Sequence, residues 1–209
     1  MQDVIARDPL VRTDLTVLRF FHPRSEPYLT TGVNVLEAIF SPEVLLPVAV
    51  LAGFALLLLG RRRDDFEVSF SGIVLLATAL GTGALAGLFK VLFQRPRPPS
   101  SLQLVHETGY GFPGAHAVAV VAIGAAVWCL FGLRPLERWG GSWRARARIG
   151  LLVVALTLLV GFGRVYTGAN YPSDVLAGWA LGGVWAAVCL TAAEIFLRLR
   201  EEKGGENGG

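Results

Sequence analysis

The sequence predicts an all-α integral membrane protein: a bundle of about five transmembrane helices preceded by one or two interfacial amphipathic helices. Two observations carry this. Only 17% of the 209 residues are charged while 53% are hydrophobic, and the mean hydropathy is +0.54. A soluble domain is about 25% charged, so too few charges remain to coat a globule of this size. Second, five separate apolar stretches approach or exceed the about 20 residues needed to cross the hydrocarbon. The apolar content excludes disorder. The 25 Gly and 11 Pro follow no fixed period, which excludes collagen-like chains.

Residues 1–41 read as an N-terminal interfacial segment. The stretch 15–21 is apolar but carries Arg19, and the short run 32–40 contains Glu37. Neither can span, and both suit helices lying in the interface. Asp3, Arg7 and Asp8 interrupt any signal-peptide core. A transmembrane domain is expected at 42–198, with spans at 42–60, 68–93, 113–133, 149–163 (extendable through Tyr166) and 172–197. Pro113 and Pro172 suit the first helical position of spans three and five. A disordered cytoplasmic tail is expected at 199–209.

Basic residues orient the chain. Arg61, Arg62 and Arg63 follow span one, and Arg134, Arg138, Arg144, Arg146 and Arg148 follow span three. Arg198, Arg200 and Lys203 close the chain. That places eleven of the nineteen basic residues on one side, expected to be cytoplasmic together with the C-terminus. Arg7, Arg12, Arg19 and Arg24 fit either side. An aromatic belt accounts for most of Trp128, Trp139, Trp143, Trp179 and Trp185. The spacings Gly83/Gly87 and Gly178/Gly182 suit close helix packing. Cys129 and Cys189 lie in apolar runs and read as buried, inert thiols.

A short polar set remains at the opposite, outer face: Lys90, Arg95, Arg97, His116, Arg164, Asn170 and Asp174. Singly, each has an ordinary explanation, such as a snorkelling lysine or a helix N-terminal carboxylate. Together they describe anion binding. Guanidinium forks and one ammonium can surround a tetrahedral oxyanion, helix N-termini add partial positive charge, and His116 can serve as a general acid.

The spacing of this set resembles the type 2 phosphatidic acid phosphatase (lipid phosphate phosphatase) family over roughly residues 41–198. Lys90 followed by Arg97-Pro98 matches the first motif. Pro113-Gly114-Ala115-His116 stands at the second, which is Pro-Ser-Gly-His in the family. Gly163-Arg164, Asn170 and Asp174 stand at the third, which is Ser-Arg, then His, then Asp. The resemblance implies a phosphatase-like helical bundle with the substrate phosphate held by Lys90, Arg97, Arg164 and the main chain at Gly114 and Ala115. It implies His116 as general acid and Asp174 as the carboxylate that orients residue 170, the position of the nucleophile.

The departures fall on the chemistry. Asn170 replaces the nucleophilic histidine, and a carboxamide nitrogen, its lone pair delocalised, does not attack phosphorus. Gly114 replaces the serine donor, a loss of about 10²–10³ in rate by analogy with oxyanion-hole deletions. Ala115 and Gly163 replace glycine and serine. The reading that follows is a membrane-embedded binder of a phosphorylated lipid head group, with phosphomonoester hydrolysis lost or strongly reduced. The alternative is an active phosphatase, or one inactivated by substitution, acting on phosphatidate, phosphatidylglycerophosphate or a polyprenyl (pyro)phosphate. A third possibility makes His116 the nucleophile, with Glu107 the only nearby acid. The expected partners are a phosphorylated lipid and the bilayer, with no nucleic acid, no cofactor and no metal, since the set holds too few metal ligands.

Overall fold

The structure, a computed structural model, describes residues 9–21, 26–132 and 143–206. The elements in order are α1 (Pro9–Phe21), α2 (Pro27–Ile39), α3 (Pro42–Arg63), α4 (Phe66–Phe93), a 3-10 turn (Ser100–Leu102), α5 (Ala115–Gly132), α6 (Trp143–Tyr166) and α7 (Pro172–Glu206). Among the described residues there is no strand, only an isolated bridge between Pro96 and Tyr110. Four helical stretches, ending in α3, α4, α6 and α7, are long and apolar enough to cross a membrane.

α5 is shorter and central. Ala117, Val118, Ala119, Ala122 and Ala126 are each at most 1% exposed, and α5 packs against α3, α4, α6 and α7. Its small side chains let backbones approach closely. A Cβ on Gly178 of α7 would stand 2.6 Å from the Gly114 carbonyl oxygen, and one on Gly182 would stand 2.5 Å from that of Val118. These two glycines are the notch in which α5 and α7 meet. Large apolar residues such as Leu51, Leu80, Leu92, Leu151 and Val184 point outward, as lipid-facing positions require.

Each expected span falls on a helix with shifted ends, and the third falls on the shorter α5. α5 begins at Ala115, because the first intrahelical bond runs from Val118 N–H to Gly114 C=O. Pro113 therefore precedes the cap instead of occupying the first helical turn. Pro172 does open α7. α4 ends at Gln94, which is left-handed at φ 46°, and the Arg95-Pro96 pair then leads the chain away extended. α7 is helical through Glu206, so residues 199–206 are not the disordered tail expected there.

Two tryptophans differ from the belt expectation. Trp185 packs over Gly81 and donates to the Thr78 carbonyl at 3.1 Å, and Trp179 packs over Gly161. The missing Cβ of Gly81 and Gly161 leaves room for these indoles between helices, so both rings serve packing. Trp143 is 73% exposed and Trp128 is partly exposed, while Trp139, Arg134, Arg138, Arg7 and Arg24 lie outside the described residues. Cys129 and Cys189 are free and half-buried, less enclosed than expected.

α1 and α2 each bury one carboxylate within an otherwise apolar inner face, Asp14 beside Val11 and Leu18 and Glu37 beside Val33. Asp14 and Glu37 are buried against the bundle, while Tyr28, Val35 and Ile39 are exposed. A carboxylate beside lipid is costly unless it faces protein partners, so polar residues turn inward. Lys90, Arg97, His116, Arg164 and Asn170 gather at one end of the bundle. Arg61–Arg63, the first turn of α6 and Arg198 to Lys203 lie at the other.

The α5–α7 notch gives a paired expectation. Gly178→Ala should lower the apparent melting temperature in detergent, an overpacking cost of about 1–3 kcal/mol. Gly87→Ala, whose Cβ meets nothing within 4 Å, should leave it unchanged or raise it.

Candidate functional site

Arg164 lies in the last turn of α6 and is 2% exposed. Its Nε donates to Asn170 Oδ1 at 3.0 Å, and its Nη1 donates to Glu37 Oε2 at 3.2 Å and Glu107 Oε1 at 2.9 Å. Thr167 Oγ donates to the other Glu37 oxygen at 3.2 Å. One of the three side chains that fix Arg164 thus comes from α2, well outside the three motifs.

Arg97 is held by carbonyls. Nε donates to Thr108 C=O at 3.1 Å and Nη1 to Ala169 C=O at 2.7 Å, while Nη2 faces Glu107 Oε2 at 3.4 Å. Glu107 therefore spans both guanidiniums. Burial raises its carboxyl, but Arg164 and Arg97 outweigh that and hold it below the usual carboxylate range. Lys90 is half-buried, feels the charges of Arg97, Arg164 and Glu107, and makes no ion pair or hydrogen bond with the described residues. His116, in the first turn of α5, contacts the Glu37 main chain and feels Arg164, Glu107 and Arg97. The helix start beneath it presents amides ahead of the first intrahelical bond, a positive helix end.

Asn170 is buried at 2% exposure and fully engaged. Its Oδ1 accepts from Arg164 and its Nδ2 donates to Gly111 C=O at 2.7 Å. Two expectations change here. Asp174 does not touch Asn170: its Oδ1 accepts from Arg95 at 2.5 Å and its Oδ2 caps the Tyr171 N–H at 3.2 Å. Gly114 offers no spare amide, since its N–H donates to Asp174 C=O at 2.9 Å. A serine there would bring its Cβ within 3.1 Å of that carbonyl oxygen.

Arg95 belongs to a second cluster. Besides Asp174 it donates to Asp14 Oδ2 at 2.9 Å and Ser173 Oγ at 2.8 Å, and it lies 4.7 Å over the Tyr171 ring. Asp14 also accepts from the Ser173 main chain at 3.0 Å and from its hydroxyl. This network ties α1 to the first turn of α7. Sequence reasoning missed Asp14 and Glu37 as site residues. The signal of Glu37 was visible, a lone carboxylate within the apolar run 32–40, but an interfacial reading let it point to water; Asp14 stands just before the run 15–21, beside Arg12 and Thr13, and carries no such signal.

The fold and this cluster define a helical membrane protein with a cluster of basic side chains at one end of its bundle. The chain belongs to the PAP2 superfamily, whose model matches residues 70–196. It is 32% identical over 168 residues to a lipid A 1-phosphatase of Rhizobium etli, covering 74% of this chain and 65% of that protein. It is 24% identical over 158 residues to phosphatidylglycerophosphatase B of Bacillus subtilis, covering 75% and 71%. The chain thus spans slightly under two thirds of the lipid A 1-phosphatase. Its fold matches the crystal structure of a transmembrane PAP2-type phosphatidylglycerolphosphate phosphatase from Bacillus subtilis. The TM-score is 0.73 at 21% identity, covering 91% of this chain and 90% of that one.

Two outcomes follow from these contacts. Asp14→Ala should cost about 1–3 kcal/mol, the range for lost charged hydrogen bonds, and hydrogen exchange should rise across α1 before the rest of the bundle. The Glu107 bridge should be complete above the ordinary glutamate value of 4.5 and disappear as pH falls through its lower folded-state value. A carboxyl-labelled NMR titration should place that midpoint below 4.5.

Proposed function

We propose that this chain binds the phosphate of a phosphorylated lipid through Lys90, Arg97, Arg164 and His116, and does not turn it over through a phosphoenzyme. The observation that carries the reading is Asn170. It stands at the attacking position, its amide is not a nucleophile, and both its polar atoms are committed to Arg164 and Gly111. The cationic groups around it persist, and Lys90 makes no ion pair or hydrogen bond among the described residues. Charged groups are costly near hydrocarbon, so their retention supports a compensating anion. Named relatives act on lipid A, phosphatidylglycerophosphate and dolichyl diphosphate, which supports a lipid as the carrier of that phosphate.

On this reading the head group enters sideways from the leaflet at the pocket end. The arginine-rich opposite end supports a non-cytoplasmic placement of the pocket and a cytoplasmic C-terminus. Asp174 serves α7 and Arg95 instead of a catalytic ring. His116, beside Glu37, donates to a phosphate oxygen or to the bridging ester oxygen.

The test is phosphate release from phosphatidate, phosphatidylglycerophosphate and undecaprenyl diphosphate in detergent. The unmodified chain should release no phosphate above background. Asn170→His, alone or with Gly114→Ser, should restore release, the double variant being limited by crowding against Asp174. Robust release by the unmodified chain that His116→Ala abolishes would contradict the proposal and make the chain a working phosphatase.

A further inference from the structure

The loop carrying Glu107 is pinned on both sides of it. Leu104 N–H donates to Thr167 C=O at 2.8 Å, and Gly111 N–H donates to Arg95 C=O at 2.9 Å. Between these pins, residues 105–109 form neither helix nor strand. Gly109 is left-handed at φ 78° with open space around its Cβ position. Glu107 is anchored locally by one bond, from its N–H to Gln103 Oε1 at 3.3 Å.

Neither arginine depends on Glu107 for its placement. Arg97 is oriented by the Thr108 and Ala169 carbonyls, and Arg164 by Asn170 and Glu37. What remains of both guanidiniums converges on one carboxylate, whose two oxygens span them at 2.9 and 3.4 Å. Arginine forks receive two oxygens of a phosphate in the same way.

We infer that Glu107 is a built-in occupant of the anion seat, and that a phosphomonoester dianion binds by displacing it. This rests on the seat being the phosphate site proposed above. Charge favours it. The carboxylates in ion-pair contact with Arg97 and Arg164 are Glu37 and Glu107, while Glu43 and Asp174 act on Lys90 and Arg97 from further off. Withdrawing Glu107 raises the positive charge of the seat by one and spares a dianion a like-charge contact. Glu107 has a route to water, its side chain being 29% exposed, whereas Glu37 at 7% is fixed. Burial of the arginines between ligands is therefore maintained by an internal carboxylate, and the lipid phosphate competes with it.

The experiment measures equilibrium binding of inorganic phosphate, and of phosphatidate in detergent micelles, to the full chain and its Glu107→Gln, Glu107→Ala and Lys90→Ala variants. Both Glu107 variants should tighten binding about tenfold, the effect of removing an occupant that holds the seat about nine-tenths of the time. Tightening for both anions supports displacement by the phosphate itself. Tightening for phosphatidate alone supports it with the lipid head group as the ligand. Unchanged or weaker binding in both Glu107 variants, while the unmodified chain binds and Lys90→Ala does not, overturns the displacement and leaves the phosphate seat standing. No binding of either anion by the unmodified chain or by the Glu107 variants overturns both.

Discussion

A guanidinium that is 2% exposed, in a protein whose surroundings are hydrocarbon, cannot be left without acceptors, and Arg164 organises the pocket end of the bundle around that requirement. An uncompensated buried charge costs several kcal/mol, so acceptors must come from wherever the chain can supply them. Asn170 supplies one from the loop before α7, Glu37 supplies one from α2, and Glu107 supplies one from the loop before α5. Three segments distant in sequence are thereby drawn to one guanidinium. The N-terminal helices lie largely outside the superfamily match, yet α2 is part of this arrangement.

The same end of the bundle divides its charges into two clusters with different work. Around Arg164 and Arg97 one carboxylate, Glu107, is shared between two guanidiniums from an open loop, and Lys90 makes no ion pair or hydrogen bond with the described residues. Around Arg95, Asp14, Asp174 and Ser173 each accept from the guanidinium and fasten α1 across the first turn of α7. Asp174 belongs to the second cluster: it caps the Tyr171 N–H and neutralises Arg95, and makes no hydrogen bond with Asn170.

The helix content, the order of spans and the identity of the basic residues were legible in the sequence because each depends on local pattern. Apolar run length marks a span, and Lys90, Arg97 and Arg164 stand out in a chain with few charges. The side-chain partners were less legible. Glu37 interrupts an apolar stretch and Asp14 stands at the polar start of one, and each reads equally as a residue facing water or one facing a buried cation. Only the packing of α1 and α2 against α7 and α6 decides between them. The Gly114 amide looked free in sequence because its acceptor, the Asp174 carbonyl, is 60 residues away in the chain and meets it only where α5 and α7 close through Gly178. Trp179 and Trp185 were misplaced for a related reason, since a glycine on the opposing helix turns an interfacial residue into an interior one.

On the proposed function, the retained cations hold a phosphate and no side chain attacks it. The most direct measurement is a structure of the full chain with orthovanadate or phosphatidate. The account predicts a tetrahedral anion between Arg97, Arg164 and Lys90, within hydrogen-bond reach of His116 and with no bond to any side chain. A covalent adduct on His116, or an anion seated away from these arginines, would contradict it.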